Sequence, residues 1–409
     1  MRVKQALIFI LLILILVIFN RVFLNTFSRA NSYFATENHY SNEIAQPNKL
    51  FEKTWKTIAR EYYDTTMNHQ DWSRWKAHYY GKIKTEDDAK VAIDSMVASL
   101  NEPYTRYLNQ KEYNDLITSI TSKIYGIGVN IYSNSGKIEI FNVIPSTPAE
   151  LAGLKQGDLI INVNGKDTKG LSVSEVATLV RGPENSIVEI TILRDGKKIL
   201  KKIKRKEIKI KNVKSSVLDN HIGYIQIISF MGGTTPNEFL EALENTKKTD
   251  SLILDLRGNT GGLLNNAVFI ANLFIHQGEI VEIIYRNGYK KSIVANPEQQ
   301  YFNKPIVVLV NGASASASEI LSGALKDYKK ATIVGKKTFG KGLVQKVVPL
   351  PNKTGLNVTI ARYLTPNGTD INKLGIKPDI EIGNDYDFLM NNQKDLQLEK
   401  AKDLLSKGF

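Results

Sequence analysis

"PIVVLVNGASASASE", residues 305 to 319, runs five aliphatic residues into an Asn-Gly pair, then sets three serines among three alanines ahead of "ILSGALKDY". An unbroken apolar run bounded by turn residues is the pattern of a strand covered on both faces, as in a parallel sheet between helices. The hydroxyl residues and Glu319 in front of a helical stretch suit a helix start. A strand, glycine turn and helix in this order place the junction at the carboxyl edge of a parallel sheet, where ligand clefts form. Two readings follow. The serines cap the helix, or one is a nucleophile beside N–H groups able to stabilise an oxyanion, with Ala315 and Ala317 letting a peptide approach. The residues alone do not choose among Ser314, Ser316 and Ser318.

Outward from this stretch the alternation continues. Strand-like runs "IGYIQII", "SLILDLR", "IVVLV" and "ATIVG" are separated by helical segments from residue 222 onward, which predicts an α/β core. "LVQKVVPL" and "LNVTIARYLT" are expected to pair antiparallel. Upstream, "GIGVNIY", "IEIFNVI", "DLIINVNG" and "IVEITILRDGKKI" form a mainly β segment broken by glycine turns, with two short helical pieces, "PAELAG" and "VSEVATLV". Residues 49 to 117 are helical in pattern: Phe51, Trp55, Ile58, Tyr62 and Tyr63 share a face, and Thr85 suits an N-cap.

A serine nucleophile needs a base. The chain has no cysteine, which excludes thiolate catalysis, disulfides and cysteine-bound zinc. The five histidines, His39, His69, His78, His221 and His276, stand in no motif that looks catalytic. A lysine serves if burial leaves it neutral. Lys341 in "KKTFGKGLVQ" lies between glycines after the strand "ATIVG", in a segment otherwise rich in Thr, Phe and Val, which fits either a turn residue or a base.

The N-terminus points to export. Arg2 and Lys4 precede fourteen apolar residues, Ala6 to Phe19, long enough for a signal-peptide core and short of the ~20 that span a bilayer comfortably. A cleaved signal peptide and an uncleaved membrane anchor both fit, and either puts the remainder outside the cytoplasm, in a periplasm or facing outward from the membrane. The net charge of +13 is concentrated: residues 194 to 214 carry +9, and the rest of the chain +4. Isoleucines punctuate those lysines at strand spacing, so the segment reads as an exposed strand face, with an anionic membrane surface as the lesser reading. Nucleic acid is not an expected partner.

"VIPSTPAELAGLKQGDLIINVNGKD", after "YGIGV", resembles the PDZ domain. The resemblance implies that Ile127, Gly128 and Val129 offer N–H groups to a substrate's C-terminal carboxylate, with "VSEVATLV" as the opposite wall of the groove. Arg181 in "VRGPENS" is either an exposed turn residue or a partner for a carboxylate of the substrate or the protease body. "LDLRGNTGG", "VNGASASASEILSGALKDY", "VGKKTFGKGLVQ" and "ARYLTPNGTDINKLGIKPDI", with "DWSRW" and "SLNEPYTRYLNQKEY", together resemble the C-terminal processing (tail-specific) peptidases in the family's order. That resemblance implies a protease core of ClpP/crotonase-like α/β fold. It implies Ser316 as nucleophile, Lys341 as base, Gln345 orienting the lysine, and an oxyanion hole from Ala317 with Gly262 or Gly261. No metal or cofactor is implied, and a homodimer through the helical termini would fit.

The expected organisation is a signal peptide or anchor at 1–25, a linker at 26–48, a helical segment at 49–117, a PDZ domain at 118–207, a protease core at 208–385 and a helical tail at 386–409. The competing reading from another class is a catalytically silent exported PDZ scaffold. A crotonase-like acyl-CoA enzyme is disfavoured by the PDZ insert and Lys341, and a histidine-triad protease by the want of a placed histidine.

Overall fold

The structure is a computed structural model and describes residues 46–121, 124–209, 211–219, 221–299, 302–383 and 394–406. The apolar N-terminal stretch and nearly all of the expected linker lie outside the described residues. Among the described residues no helix is long and apolar enough to cross a membrane. The chain forms two compact units. One holds the described residues up to Asp115 together with Asn212–Phe230 and everything from Thr234 onward; the other holds Leu116–Lys211 and Met231–Gly233.

The larger unit is built on a six-stranded sheet, in the spatial order Val213–Leu218, Ile222–Ile227, Ser251–Asp255, Ile306–Val310, Thr332–Gly335 and Ile380–Glu381. The first pair is antiparallel and the others parallel. Every residue of Ser251–Asp255 and of Ile306–Val310 is buried, because both faces of the sheet are covered. Successive strand residues point to opposite faces. Leu252, Leu254, Val308 and Val310 accordingly join the core that includes Phe239, Ala267 and Leu321 from three helices. Ile253, Val307, Leu309 and Val334 face Ala401 of the C-terminal helix Leu396–Ser406.

A second sheet contains the hairpin Glu279–Tyr285/Lys290–Val294 and the antiparallel pair Leu343–Pro349 and Gly355–Leu364. Strand Gly355–Leu364 also pairs with Arg106–Leu108. Its Leu356 and Val358 pack with Leu50, Ile58, Ile93 and Met96 of the N-terminal helices, while its Ala361 and Tyr363 enter the main core. The helical segment is therefore part of the larger unit. Sequence pattern predicts its helices but is silent on this docking, which depends on a strand roughly 260 to 310 residues downstream of them.

The smaller unit is a sheet of strands Val129–Asn134, Lys137–Val143, Leu159–Val163, Ile187–Arg194 and Lys197–Lys204, with helix Val173–Val180 packed on its core. The lysine-rich strand Lys197–Lys204 is an edge strand, largely exposed, with Ile203 turned inward. Arg205 departs from that pattern. It is buried, and its guanidinium donates to the carbonyls of Leu179 (3.1 Å), Val180 (2.8 Å) and Ile187 (3.1 Å) and to Ser186 Oγ (3.0 Å). Two of these carbonyls belong to the last turn of helix Val173–Val180, where main-chain acceptors lack partners.

Candidate active site

The three serines of the opening stretch have different positions. Ser314 is buried and donates its hydroxyl to Leu256 O (2.8 Å). Ser318 is buried and donates to Asn259 O (2.9 Å). Ser316, at the N-cap of helix Ala317–Asp327, is only partly covered and has φ 55° and ψ −113°. A non-glycine residue held there costs about 1–3 kcal/mol, and such strain collects at functional sites.

What holds Ser316 is Glu319, which sequence alone marks only as a helix-start residue. Its side chain is fully buried. One carboxylate oxygen accepts from Ser316 N (2.8 Å) and Lys341 N (2.9 Å), the other from Gly340 N (2.6 Å) and Thr338 Oγ1 (2.6 Å). From another side the single hydrogen of the buried Tyr363 hydroxyl is shared between Ser316 O (3.1 Å) and Lys341 O. Burial, followed by the charge of Glu319, raises the Tyr363 pKa well above that of an ordinary phenol, so it stays a donor. Two side chains thus tie the main chains of Ser316 and Lys341 together by both their N–H and C=O groups.

Burial pushes the Lys341 amine below the usual lysine range, and the charges of Glu102 and Glu319 partly oppose this. Its Nζ lies 4.6 Å from the ring centroid of Tyr104. Gln345 pairs across the sheet with Thr359, where a register shift after Val344 realigns the two strands. Its Nε2 is 3.4 Å from Thr359 Oγ1.

The glycine turn after Ser251–Asp255 meets the serine turn through Asn259, which is fully buried. Its main-chain oxygen accepts from Ala315 N (3.0 Å) and Ser318 Oγ, and its side chain donates to Ile227 O (2.8 Å). The Asn259 side-chain oxygen accepts from Gly261 N (2.9 Å), so that N–H is spent. The N–H groups of Gly262 and Ala317 have no hydrogen-bond partner among the described residues. Gly262 has φ 148° and forms a bridge with Phe230.

The model of Peptidase family S41 matches residues 221–382, and that of the PDZ domain residues 139–194. The carboxyl-terminal-processing protease of Synechocystis is 37% identical over 378 residues, covering 89% of this chain and 88% of the relative. The chain belongs to peptidase family S41. The carboxy-terminal processing protease CtpA of Bacillus subtilis is 40% identical over 312 residues, 75% of this chain and 66% of the relative. Among solved structures, the photosystem II D1 C-terminal processing protease has 32% identity and a TM-score of 0.56, covering 83% of this chain and 94% of its own.

This S41 protease is a serine-type enzyme with a PDZ domain in the smaller unit. Gly128, with φ +89°, accepts from Ile144 N (2.9 Å) at its carbonyl, and a Cβ there would lie 2.3 Å from Thr147 Cβ. The N–H groups of Ile127 and Gly128 donate to nothing among the described residues, and Val129 opens the strand paired with Lys137–Val143. Arg181 ends helix Val173–Val180; its side chain is exposed and has no partner among the described residues.

Gly261 is the tightest point of the protease's serine site. A Cβ on it would stand 2.7 Å from Ala315 O, 2.8 Å from Ser316 Cβ and 3.0 Å from Ala317 N, at φ +102°. Gly261→Ala is expected to cut peptide hydrolysis about a hundredfold by displacing the serine turn. Steady-state kinetics on a fluorogenic peptide checks this, and an unchanged rate would mean the turn yields without consequence.

Sequence reasoning passed over Glu319 as a hub, Tyr363, Asn259 and Glu102. The first leaves a faint signal, an acidic residue three places after Ser316. Asn259, Glu102 and Tyr363 stand in the quoted motifs, but their parts in the site depend on Ile227, Thr359 and Lys341, which are distant in the chain.

Proposed function

We propose that this protease hydrolyses peptide bonds by a Ser316–Lys341 dyad through an acyl-enzyme, acting outside the cytoplasm on proteins held by their C-termini. The observation that carries the reading is that Ser316, the one partly exposed and strained serine of the run, shares a carboxylate oxygen with the Lys341 main chain. Neutral Lys341 takes the hydroxyl proton as Ser316 Oγ attacks the carbonyl carbon, and Gln345 orients the amine. The N–H groups of Ala317 and Gly262, without a partner among the described residues, receive the oxyanion; Gly261, whose N–H is bound by Asn259, is the weaker candidate. Lys341 then protonates the leaving amine, and water cleaves the ester.

The N–H groups of Ile127 and Gly128, which donate to nothing among the described residues, with Val129 beyond, support capture of a terminal carboxylate. Arg181, exposed beside the helix end, is available to a further carboxylate. Export rests on Arg2, Lys4 and the apolar run that follows.

The test is incubation with an unstructured polypeptide ending in a free or an amidated C-terminus. Ser316→Ala is expected to lower cleavage by about 10³-fold or more, and amidation to raise KM. Cleavage undiminished in Ser316→Ala would remove Ser316 from the reaction; equal KM for both peptides would remove the carboxylate loop from recognition.

A further inference from the structure

The segment Asn101–Thr105 stands immediately ahead of strand Arg106–Leu108, whose pairing with residues 355–357 brings it beside Thr359. Glu102 is bound on all sides. Oε1 accepts from Tyr104 N (2.6 Å), and Oε2 accepts from Thr105 N (3.0 Å), Thr105 Oγ1 (2.8 Å) and Thr359 Oγ1 (2.7 Å). Thr105 Oγ1 in turn accepts from Thr359 N (3.1 Å).

These bonds have a fixed direction. A carboxylate only accepts, so the Thr359 hydroxyl hydrogen is spent on Glu102, and toward Gln345 the same oxygen can only accept. Gln345 must therefore turn its NH2 to Thr359. That leaves Oε1, which has no partner among the described residues, as the end of the amide available to an amine. An amide oxygen accepts hydrogens from the Lys341 amine and leaves its lone pair for a serine hydroxyl. A reversed amide would offer that amine a donor instead.

We infer that Glu102 is a positioning residue for the base, setting the Gln345 amide through Thr359 and holding Tyr104 under the Lys341 amine. The inference deepens the Ser316–Lys341 reading and rests on it. The charged and titratable groups around Lys341 are Glu102 and Tyr104 from this segment, Glu319 from helix Ala317–Asp327, and Tyr363 on its main chain. Glu102 is the larger of the two carboxylate influences that keep the proton on the amine, against the burial that expels it.

The test uses the full chain with Glu102→Gln, Thr359→Val and Thr359→Ser. In Glu102→Gln, kcat is expected to fall about tenfold or more with KM unchanged. The acid limb of its kcat–pH profile moves to lower pH, because a charge favouring the ammonium is gone. Thr359→Val shows the fall in kcat with the limb in place, and Thr359→Ser, which keeps the hydroxyl, recovers most of that loss. NMR titration of the Lys341 side chain, in Ser316→Ala with and without Glu102→Gln, reads the same charge effect without hydrolysis. It keeps this inference testable even if Ser316→Ala proves active and the dyad itself is wrong. An unmoved lysine titration with unchanged kcat in Glu102→Gln overturns the inference, as does a Thr359→Val enzyme with wild-type kcat.

Discussion

Lys341→Met is expected to lower peptide hydrolysis by about 10⁴-fold and, at neutral pH, to make the protein more stable. The two effects have one cause. The amine is buried, and burial outweighs the attraction of Glu102 and Glu319, so the folded-state pKa lies below the ordinary 10.5. A base with a depressed folded pKa binds its proton more weakly folded than unfolded. Its cost to stability is fully present below the folded pKa and fades as pH rises from there toward 10.5. Methionine has a similar length and no charge to desolvate, so it removes that cost. The melting temperature should rise by about 2 °C, the scale of ~1 kcal/mol in a large domain. The gain over the parent should shrink as pH is raised.

With Lys341 as the proposed base, the same shift is expected to set the pH dependence of the parent enzyme. Its rate should climb with pH through the Lys341 titration, since only the neutral amine accepts the serine proton. Melting and kinetics across pH 6 to 10 check both halves. A flat rate with chemistry limiting, or a methionine variant that melts lower throughout, would contradict the assignment.

The second large effect is at Glu319. Glu319→Ala takes the acceptor from four buried or partly buried donors, Ser316 N, Lys341 N, Gly340 N and Thr338 Oγ1. Each donor left without a partner costs about 1–3 kcal/mol, so a loss on the order of 4 kcal/mol is expected. Hydrolysis should fall with it, because the Ser316 conformation and the Lys341 turn lose their shared anchor. Glu319→Gln should be milder. Its amide can keep its oxygen on Ser316 and Lys341 and turn its NH2 to Thr338, whose hydroxyl is able to accept, so that of the four donors only the Gly340 N–H is left without an acceptor. Thermal melts and kinetics of the two variants decide the matter. An alanine variant that melts and cleaves like the parent would show that water replaces the carboxylate and that the strain at Ser316 is held elsewhere.

The pair of variants separates two kinds of buried charge. Among the described residues the Lys341 amine has no hydrogen-bond acceptor, and it rests on an aromatic ring, so its charge opposes the fold. Glu319 is bonded on every side, and the fold depends on it. The first arrangement is unfavourable for stability and useful for proton transfer; the second organises the main chain around it.

Much of this protein is determined within short spans of its sequence. Apolar runs such as Ile306–Val310 specify buried strands, because a strand covered on both faces has no polar side to show. The glycine and serine turns specify where strands become helices, and the absence of cysteine and of a placed histidine turns attention to lysine. These are local statements, decided by neighbours three or four residues apart. The tertiary structure decided which serine is left partly exposed, since Ser314 and Ser318 are buried and committed to carbonyls of residues 256 and 259. It decided that the N–H of Gly261 is taken and that the N–H of Gly262 has no partner among the described residues. It also brought Glu102 to Thr359 through strand pairing across some 250 residues. No periodicity encodes such meetings, because hydrogen-bond direction and burial belong to the packed chain and exist only once distant strands have paired.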